Sequence, residues 1–386
     1  MRPYDRVYAE IDLDAAAGNV KAMRESLPDS ASIMGVVKAD GYGHGAVPIA
    51  KAIDPYVEAY GVATADEALH LRKNGITKPV LVLGPVHLSR YEELVRAHIR
   101  PAIFRMKEAE RLSELAAETG EEARAHIALD TGMCRIGMRP DGASAEMVRS
   151  MSRLPGLTLE GLFTHFARAD ERDKSAYEAQ FAAYRTFAGY LEELGVDIPV
   201  KHCSNSAAIV EGLDSNSLNM VRAGIAMYGL YPSDEVDKSR VRLRPVMGIK
   251  SAITYIKEVE PGSAISYGGT FVAEKTMRVA TIPVGYGDGW PRALSNRGEV
   301  LIRGKRARIL GRICMDQFMA DVTDIPEAGE DDAVTLLGRD GEEEITAEEL
   351  AERSGGFHYE LLCNVGKRVP RVYISGGTIV GAKDYF

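Results

Sequence analysis

Ser32-Ile33-Met34-Gly35-Val36-Val37 runs directly into Lys38, and Lys38 into Ala39-Asp40-Gly41-Tyr42-Gly43-His44-Gly45. A short apolar, β-branched run that stops at glycines reads as a buried strand feeding a turn. The same texture returns at Ala59–Ala63, Pro79–Leu83, Pro101–Phe104, Ala125–Leu129, Leu159–Thr164, Val200–Cys203 and Asn219–Arg222, with helix-patterned segments between. Strands alternating with helices build parallel sheets. Eight of them over roughly 200 residues predict a closed (β/α)8 TIM-type barrel near the short end of its size range.

After Tyr231-Pro232-Ser233-Asp234 the pattern changes. Long alternating segments at Met247–Val259, Met277–Val284 and Glu299–Ile309 lie between glycine-rich turns, as antiparallel strands do. Thr346-Ala347-Glu348-Glu349 is a capping box that starts one helix among them. The expected organisation is a barrel over residues 1–235 and a mostly antiparallel β domain over residues 236–386, with residues 1–12 available to pair with the latter.

At 386 residues the chain exceeds one ordinary compact core, and its 45% hydrophobic and 27% charged residues are those of a globular protein. A formal charge of -9 provides no electrostatic footprint for nucleic acid or an anionic membrane. No run of apolar residues is long enough to span a bilayer, and Met1-Arg2-Pro3-Tyr4-Asp5 lacks the apolar core of a signal peptide, so a cytoplasmic location is expected. Cys134, Cys203, Cys314 and Cys363 have no finger or C-x-x-C spacing and are expected to be buried, structural thiols. The 8 histidines are scattered singly, and no metal is expected. Motifs for serine hydrolases, zinc proteases, P-loops and dinucleotide binding are absent.

Barrel enzymes carry their chemistry at the carboxyl ends of strands. Lys38 stands there, between an apolar strand and a glycine-rich loop, where desolvation releases the proton of an amine and makes it a Schiff-base former. The same position equally suits a lysine that reaches into solvent. Arg135, two turn residues past Asp130-Thr131-Gly132, has the planar fork that clamps a carboxylate or phosphate, or else pairs with Asp130. His165 ends its strand and fits a satisfied core histidine as well as a functional one. Ser204-Asn205-Ser206 and Ala223-Gly224-Ile225 follow the last two strands, the usual phosphate site of this barrel, although Ser204 or Asn205 also reads as a helix cap.

Val36-Val37-Lys38-Ala39-Asp40-Gly41-Tyr42-Gly43-His44-Gly45 resembles the pyridoxal-phosphate attachment signature of alanine racemases. Further family-like segments follow in order across both expected domains: Asp130–Gly137, Gly161–Asp170, Ser204–Ala208, Arg222–Gly229, Ile265–Thr270, Pro283–Arg292, Gly311–Val322 and Arg368–Tyr373. The resemblance implies an amino-acid racemase that supplies D-alanine for peptidoglycan and works as a homodimer, each site completed by the partner's β domain. It implies pyridoxal 5'-phosphate held by Lys38, with Tyr267 of the partner as the opposing acid/base. By the same resemblance, His165 would link that tyrosine to Arg222, and Arg222 would face the pyridine nitrogen. Tyr42, Asn205, Ser206, Gly224 and Ile225 match the phosphate-binding segments. Arg135 and the backbone of Met315 match the substrate-carboxylate contacts, and Tyr286 and Arg312 the channel by which substrate enters.

Two positions depart from the family. Ala128 stands where many relatives have a lysine, often carbamylated, that orients the arginine matched by Arg135. Lys367 precedes Arg368-Val369-Pro370-Arg371 where some relatives place a phosphate-contacting tyrosine. A racemase of broader range, acting on serine or others, is the nearest alternative, and a decarboxylase on the same architecture the next, although decarboxylases set an acid rather than an arginine at the pyridine nitrogen. A non-catalytic pyridoxal-phosphate carrier shares the barrel and lysine but leaves Tyr267 and everything after Tyr231 without a purpose.

Overall fold

The computed structural model describes residues 3–213 and 218–385. Two compact units are formed, one by Ala15–Gly41 and Ala46–Arg244, the other by Met1–Asp14, Tyr42–Gly45 and Pro245–Phe386.

Strand β1 (Val7–Asp12) belongs to the second unit. The first unit holds β2 (Ser32–Val36), β3 (Ala59–Val62), β4 (Val80–Val82), β5 (Ile99–Ile103), β6 (Ala123–Ala128), β7 (Leu157–Phe163), β8 (Val200–His202) and β9 (Met220–Ala223). They pair in parallel in the order β8-β7-β6-β5-β4-β3-β2-β9. Across the remaining seam the Asn219 N–H donates to Lys201 O at 3.1 Å and the Arg222 N–H to Ser204 O at 2.9 Å. The result is a nearly closed parallel barrel, and each of the eight expected runs overlaps one of its strands. Strands covered on both faces read as unbroken apolar runs, and β3, β4 and β5 are buried at every position.

The second unit is mostly antiparallel. It comprises β10 (Met247–Ala252), β11 (Tyr255–Val259), the short pair β12 (Ala264–Ile265) and β13 (Phe271–Val272), β14 (Met277–Ile282), β15 (Glu299–Ile302), β16 (Lys305–Leu310), β17 (Phe318–Asp321), β18 (Ala333–Asp340), β19 (Glu343–Ile345), β20 (Arg371–Ser375) and β21 (Thr378–Lys383). The main sheet runs β11-β14-β17-β16-β15-β18-β10-β1-β20-β21, with β19 beside β18 and one parallel pair, β1 with β20. Two segments expected as single strands are divided. Met247–Val259 breaks at Ile253-Thr254, so that β10 pairs with β1 and β18 while β11 pairs with β14. Glu299–Ile309 is a hairpin turning at Arg303 (φ 52°) and Gly304 (φ 71°). Thr346 accepts the Glu349 N–H at 3.1 Å and caps the helix Ala347–Ser354 where the sequence predicts one, but only half of the expected capping box forms, because the Glu349 carboxylate bonds Arg306. No helix among the described residues is long and apolar enough to cross a membrane.

Candidate active site

Beyond β2 the chain enters a left-handed turn: Ala39, Asp40 and Gly41 have φ of 52°, 50° and 63°. Each non-glycine residue in this conformation costs about 1–2 kcal/mol, so the surroundings must hold it. The Gly41 N–H donates to Val37 O at 2.9 Å, Asp40 Oδ1 accepts the Ala46 N–H at 2.9 Å, and Glu67 Oε1 accepts the Ala39 N–H at 2.7 Å. The other oxygen of Glu67 accepts from Ala63 and Thr64, which ties the Lys38 loop to the next strand end. Lys38 is part-buried at the head of this turn.

Arg222, on β9, is 3% exposed. Its NH1 donates to His202 O at 2.8 Å and His202 Nδ1 at 2.9 Å, and its NH2 to Thr164 O at 2.8 Å, Cys203 O at 2.9 Å and His165 Nδ1 at 3.2 Å. All four terminal N–H groups are occupied, while Nε–H has no acceptor among the described residues. Burial pulls the guanidinium down to about 10, still a cation at neutral pH. His165 accepts at Nδ1, so its proton lies on Nε2. Burial, then the charges of Arg222, Arg135 and Lys38, hold this imidazole near a pKa of about 3. Lys38, Arg135, His165 and Arg222 therefore form one electrostatic group in the barrel unit.

Arg135 is exposed and makes no hydrogen bond or ion pair with a described residue. Asp130, its expected structural partner, instead accepts from Gly132 N at 3.1 Å and Cys134 N at 2.9 Å. Ala128 sits in an apolar cluster with Ala102 and Phe163, flanked by Leu83 and Phe104.

Ser206 joins the last two barrel loops. Its Oγ accepts the Gly224 N–H at 2.9 Å and the Ala226 N–H at 3.3 Å. That leaves the Ser206 O–H hydrogen and the Ile225 N–H as buried donors without an acceptor among the described residues. Asn205 follows its plainer reading: Oδ1 caps Ala208 N at 3.1 Å and Nδ2 donates to Phe166 O at 3.2 Å.

The second unit gathers a different set. Ser266 (φ 65°) turns the chain so that Tyr267 stands 71% exposed. Ser266, Tyr267, Gly268 and Cys314–Gln317 line one open depression. The Tyr286 loop is pinned to it by Tyr286 N to Cys314 O at 3.1 Å and Gly287 N to Met315 O at 2.8 Å. A Cβ on Gly285 would lie 2.3 Å from both of those carbonyls, so only glycine permits the approach. Arg312 flanks Gly268, and the exposed Met315 keeps its N–H free of described acceptors. Tyr42 is buried in this unit beside Tyr359, and Lys367 is exposed. Here also Arg371 donates to the carbonyls of Gly43, Val365, Gly366 and Val369, so this arginine of the terminal motif anchors the glycine loop.

The model of the alanine racemase N-terminal domain matches residues 11–232, and that of the alanine racemase C-terminal domain residues 246–373. An alanine racemase of Methanococcus maripaludis is 43% identical over 369 residues, covering 95% of this chain and 98% of the relative. The solved alanine racemase of Clostridium difficile 630 superposes with a TM-score of 0.95 at 41% identity over 100% of both chains. That of Bacillus anthracis, solved with bound L-Ala-P, gives 0.93 at 38% identity, over 100% of this chain and 99% of that one.

The chain belongs to the alanine racemase family. It is accordingly an amino-acid racemase, an isomerase, in a family that is generally pyridoxal-phosphate-dependent. Among the described residues no group of His, Cys, Asp or Glu is arranged to hold a metal. The expectation of four buried thiols is corrected: all are free, Cys203 is buried, but Cys134 and Cys363 are exposed and Cys314 is intermediate.

Sequence reading of this racemase missed Glu67, whose capping-box spacing Thr64-x-x-Glu67 was the available signal. It also missed Gln180, which holds Thr131, the His165 carbonyl and the Ala167 N–H together from a distant helix. The pair His126 and His202, below Arg222, lacks any local spacing that would reveal it.

Proposed function

We propose that this racemase interconverts L-alanine and D-alanine with pyridoxal 5'-phosphate, as a cytoplasmic homodimer whose barrel sites are each completed by the partner's β unit. The observation that carries the reading is a group of three donors at the barrel's strand ends, on Ser206, Ile225 and Arg222, that have no acceptor among the described residues. Ser206 O–H and Ile225 N–H suit a phosphoryl anion, and Arg222 Nε–H suits an uncharged ring nitrogen. The Lys38 amine, at the head of the left-handed turn, suits an aldehyde carbon. When bound, the cofactor withdraws electrons from the substrate α-carbon and weakens its C–H bond.

Racemisation removes a proton from one face of that carbon and returns one to the other. Lys38 Nζ and the phenol of the partner's Tyr267 are the two proton carriers in this reading, with the Nε2–H of His165 as donor to the phenol oxygen. Arg222 offers a proton it does not release, so the nitrogen facing it stays unprotonated and simple proton return is favoured over side reactions. Arg135 and the Met315 N–H of the partner take the substrate carboxylate, and Tyr286 and Arg312 border the access route.

The test uses the full chain with cofactor, following decay of the circular-dichroism signal of L-alanine, with L-serine in parallel and carbon dioxide release measured. Tyr267→Phe is expected to lower both directions by about 10²–10⁴-fold, the usual worth of a positioned acid/base. Racemisation at the parent rate in both directions would remove the two-base assignment, and carbon dioxide without racemisation would replace the reaction by decarboxylation. Mixing inactive Lys38→Ala and Tyr267→Phe chains re-forms one intact site in each mixed dimer. If each site lies within one chain, the mixture stays inactive.

A further inference from the structure

A continuous polar chain runs through the barrel interior from Arg222. Arg222 NH1 lies 2.9 Å from His202 Nδ1, His202 Nε2 lies 2.8 Å from His126 Nδ1, and His126 Nε2 lies 3.3 Å from Glu160 Oε2. Glu160 in turn accepts from Arg100 at 2.8 and 3.1 Å and from Arg124 at 3.0 Å. His202 and His126 are 0% and 3% exposed, and Phe163 stacks on His202 with ring centroids 4.9 Å apart. Gly161 admits His126 to this position, because a Cβ there would lie 2.2 Å from His126 Nδ1.

The chain has one allowed direction. A guanidinium only donates, so His202 Nδ1 accepts. His202 must then carry its proton on Nε2 and donate to His126 Nδ1, which leaves His126 Nε2–H to donate to Glu160. A protonated His126 would donate from Nδ1 as well, and His202, accepting at both nitrogens, would hold no proton at all. Burial lowers both imidazoles and keeps them neutral. Burial pushes Glu160 up, but its hydrogen bonds to His126 and Arg100 outweigh this and hold it below the usual carboxylate range.

We propose that Glu160 is a positioning residue for Arg222: the carboxylate that only accepts at one end and the guanidinium that only donates at the other agree on the Nε2–H tautomers of His126 and His202, and Glu160 thereby supports the His202 Nδ1 lone pair that holds the guanidinium. With NH1 held by that lone pair and by His202 O, the plane of the guanidinium is set and Nε–H keeps its aim. If His126 takes the other tautomer, His202 turns an N–H against the N–H of Arg222. The inference rests on the reading of Arg222 as the donor to the ring nitrogen, but the tautomers themselves do not depend on it.

Histidine ¹⁵N chemical shifts of the full chain, with and without cofactor, give the tautomers directly. Both histidines are expected neutral and protonated at Nε2 in the parent protein; an Nδ1–H form or an imidazolium at either overturns the proposal irrespective of any activity. Glu160→Gln is expected to mix the tautomers and to lower kcat roughly tenfold, about what one lost buried hydrogen bond is worth, with KM for alanine nearly unchanged. Glu160→Asp keeps the charge beside Arg100 and Arg124 but withdraws it from His126, and serves should the glutamine variant not fold; it is expected to mix the tautomers as well. Glu122→Gln, which removes another partner of Arg124, is expected to change neither readout. Unchanged tautomers in a folded Glu160 variant overturn the proposal. Mixed tautomers with unchanged kcat leave Glu160 as their determinant and overturn its link to Arg222.

Discussion

Two strand ends of the barrel each present an arginine, Arg222 within β9 and Arg135 on the loop after β6, and they are built in opposite ways. Arg222 is almost fully buried, with its four terminal N–H groups committed to carbonyls and imidazoles. Arg135 is exposed on a loop whose turn is organised by Asp130 without using the arginine, above an Ala128 set among apolar side chains. The first is oriented before any ligand arrives. As the proposed carboxylate contact, the second would be ordered by its ligand, which costs side-chain entropy on binding. In the function proposed above, the difference separates a group that tunes a fixed cofactor from one that receives a small, exchanging molecule.

The most severe way to break the comparison is Arg222→Ala. It strips the donor from three carbonyls and two imidazoles in the barrel interior. Removing one partner from a buried charged network costs about 3–5 kcal/mol, so urea unfolding is expected to show a loss of that size together with loss of racemisation. Arg222→Lys recovers little, because a single ammonium with three donors cannot reach acceptors arranged around a planar fork. A stability loss below about 1 kcal/mol would mean that the interior network is not what holds the strand ends together.

The same contrast explains what was legible in the sequence. The barrel strands are short apolar runs bounded by turns, and those signals are local; so is the lysine at the end of one of them. In the β unit the alternation of Glu299–Ile309 continues through Arg303-Gly304, a turn without the usual Asn-Gly or Asp-Gly signature, so one strand was read where a hairpin stands. The supports of the site carry little local signal. The capping-box spacing of Glu67 marks a helix start but not its bond to a backbone N–H 28 residues away, and His126 meets His202 across 76 residues, so only the folded barrel brings them together. Asn205 illustrates the reverse case: the capping reading available from its immediate neighbours accounts for its contacts.

A milder perturbation acts through pH. His165 is held near about 3 by burial first and then by Arg222, Arg135 and Lys38. Its folded value is thus depressed below the unfolded value of about 6.5. Between those two values the unfolded chain binds a proton that the folded chain refuses, so stability falls as the pH drops from about 6.5 toward 3, by about 1.4 kcal/mol per pH unit for this residue. His126 and His202 are shifted in the same direction and add to the slope. Urea unfolding at pH 7, 6 and 5 measures it, and His165→Asn is expected to remove one proton's share. An equal slope in the variant would show that His165 titrates normally in the folded chain.

Arg135→Ala gives the smallest change in stability and the sharpest view of the contrast. An exposed side chain without partners among the described residues contributes within about 0.5 kcal/mol, so unfolding should not move. Binding should, because a charge-assisted contact to a carboxylate is worth about 1.5–3 kcal/mol, which corresponds to a rise in KM for alanine of about ten- to a hundredfold. Arg222→Ala couples stability to activity, whereas Arg135→Ala should separate them. If Arg135→Ala instead destabilised the chain as much as Arg222→Ala, the loop after β6 would be as tightly organised as the end of β9, and the distinction between a fixed arginine and an adaptable one would fail at the residue that defines it.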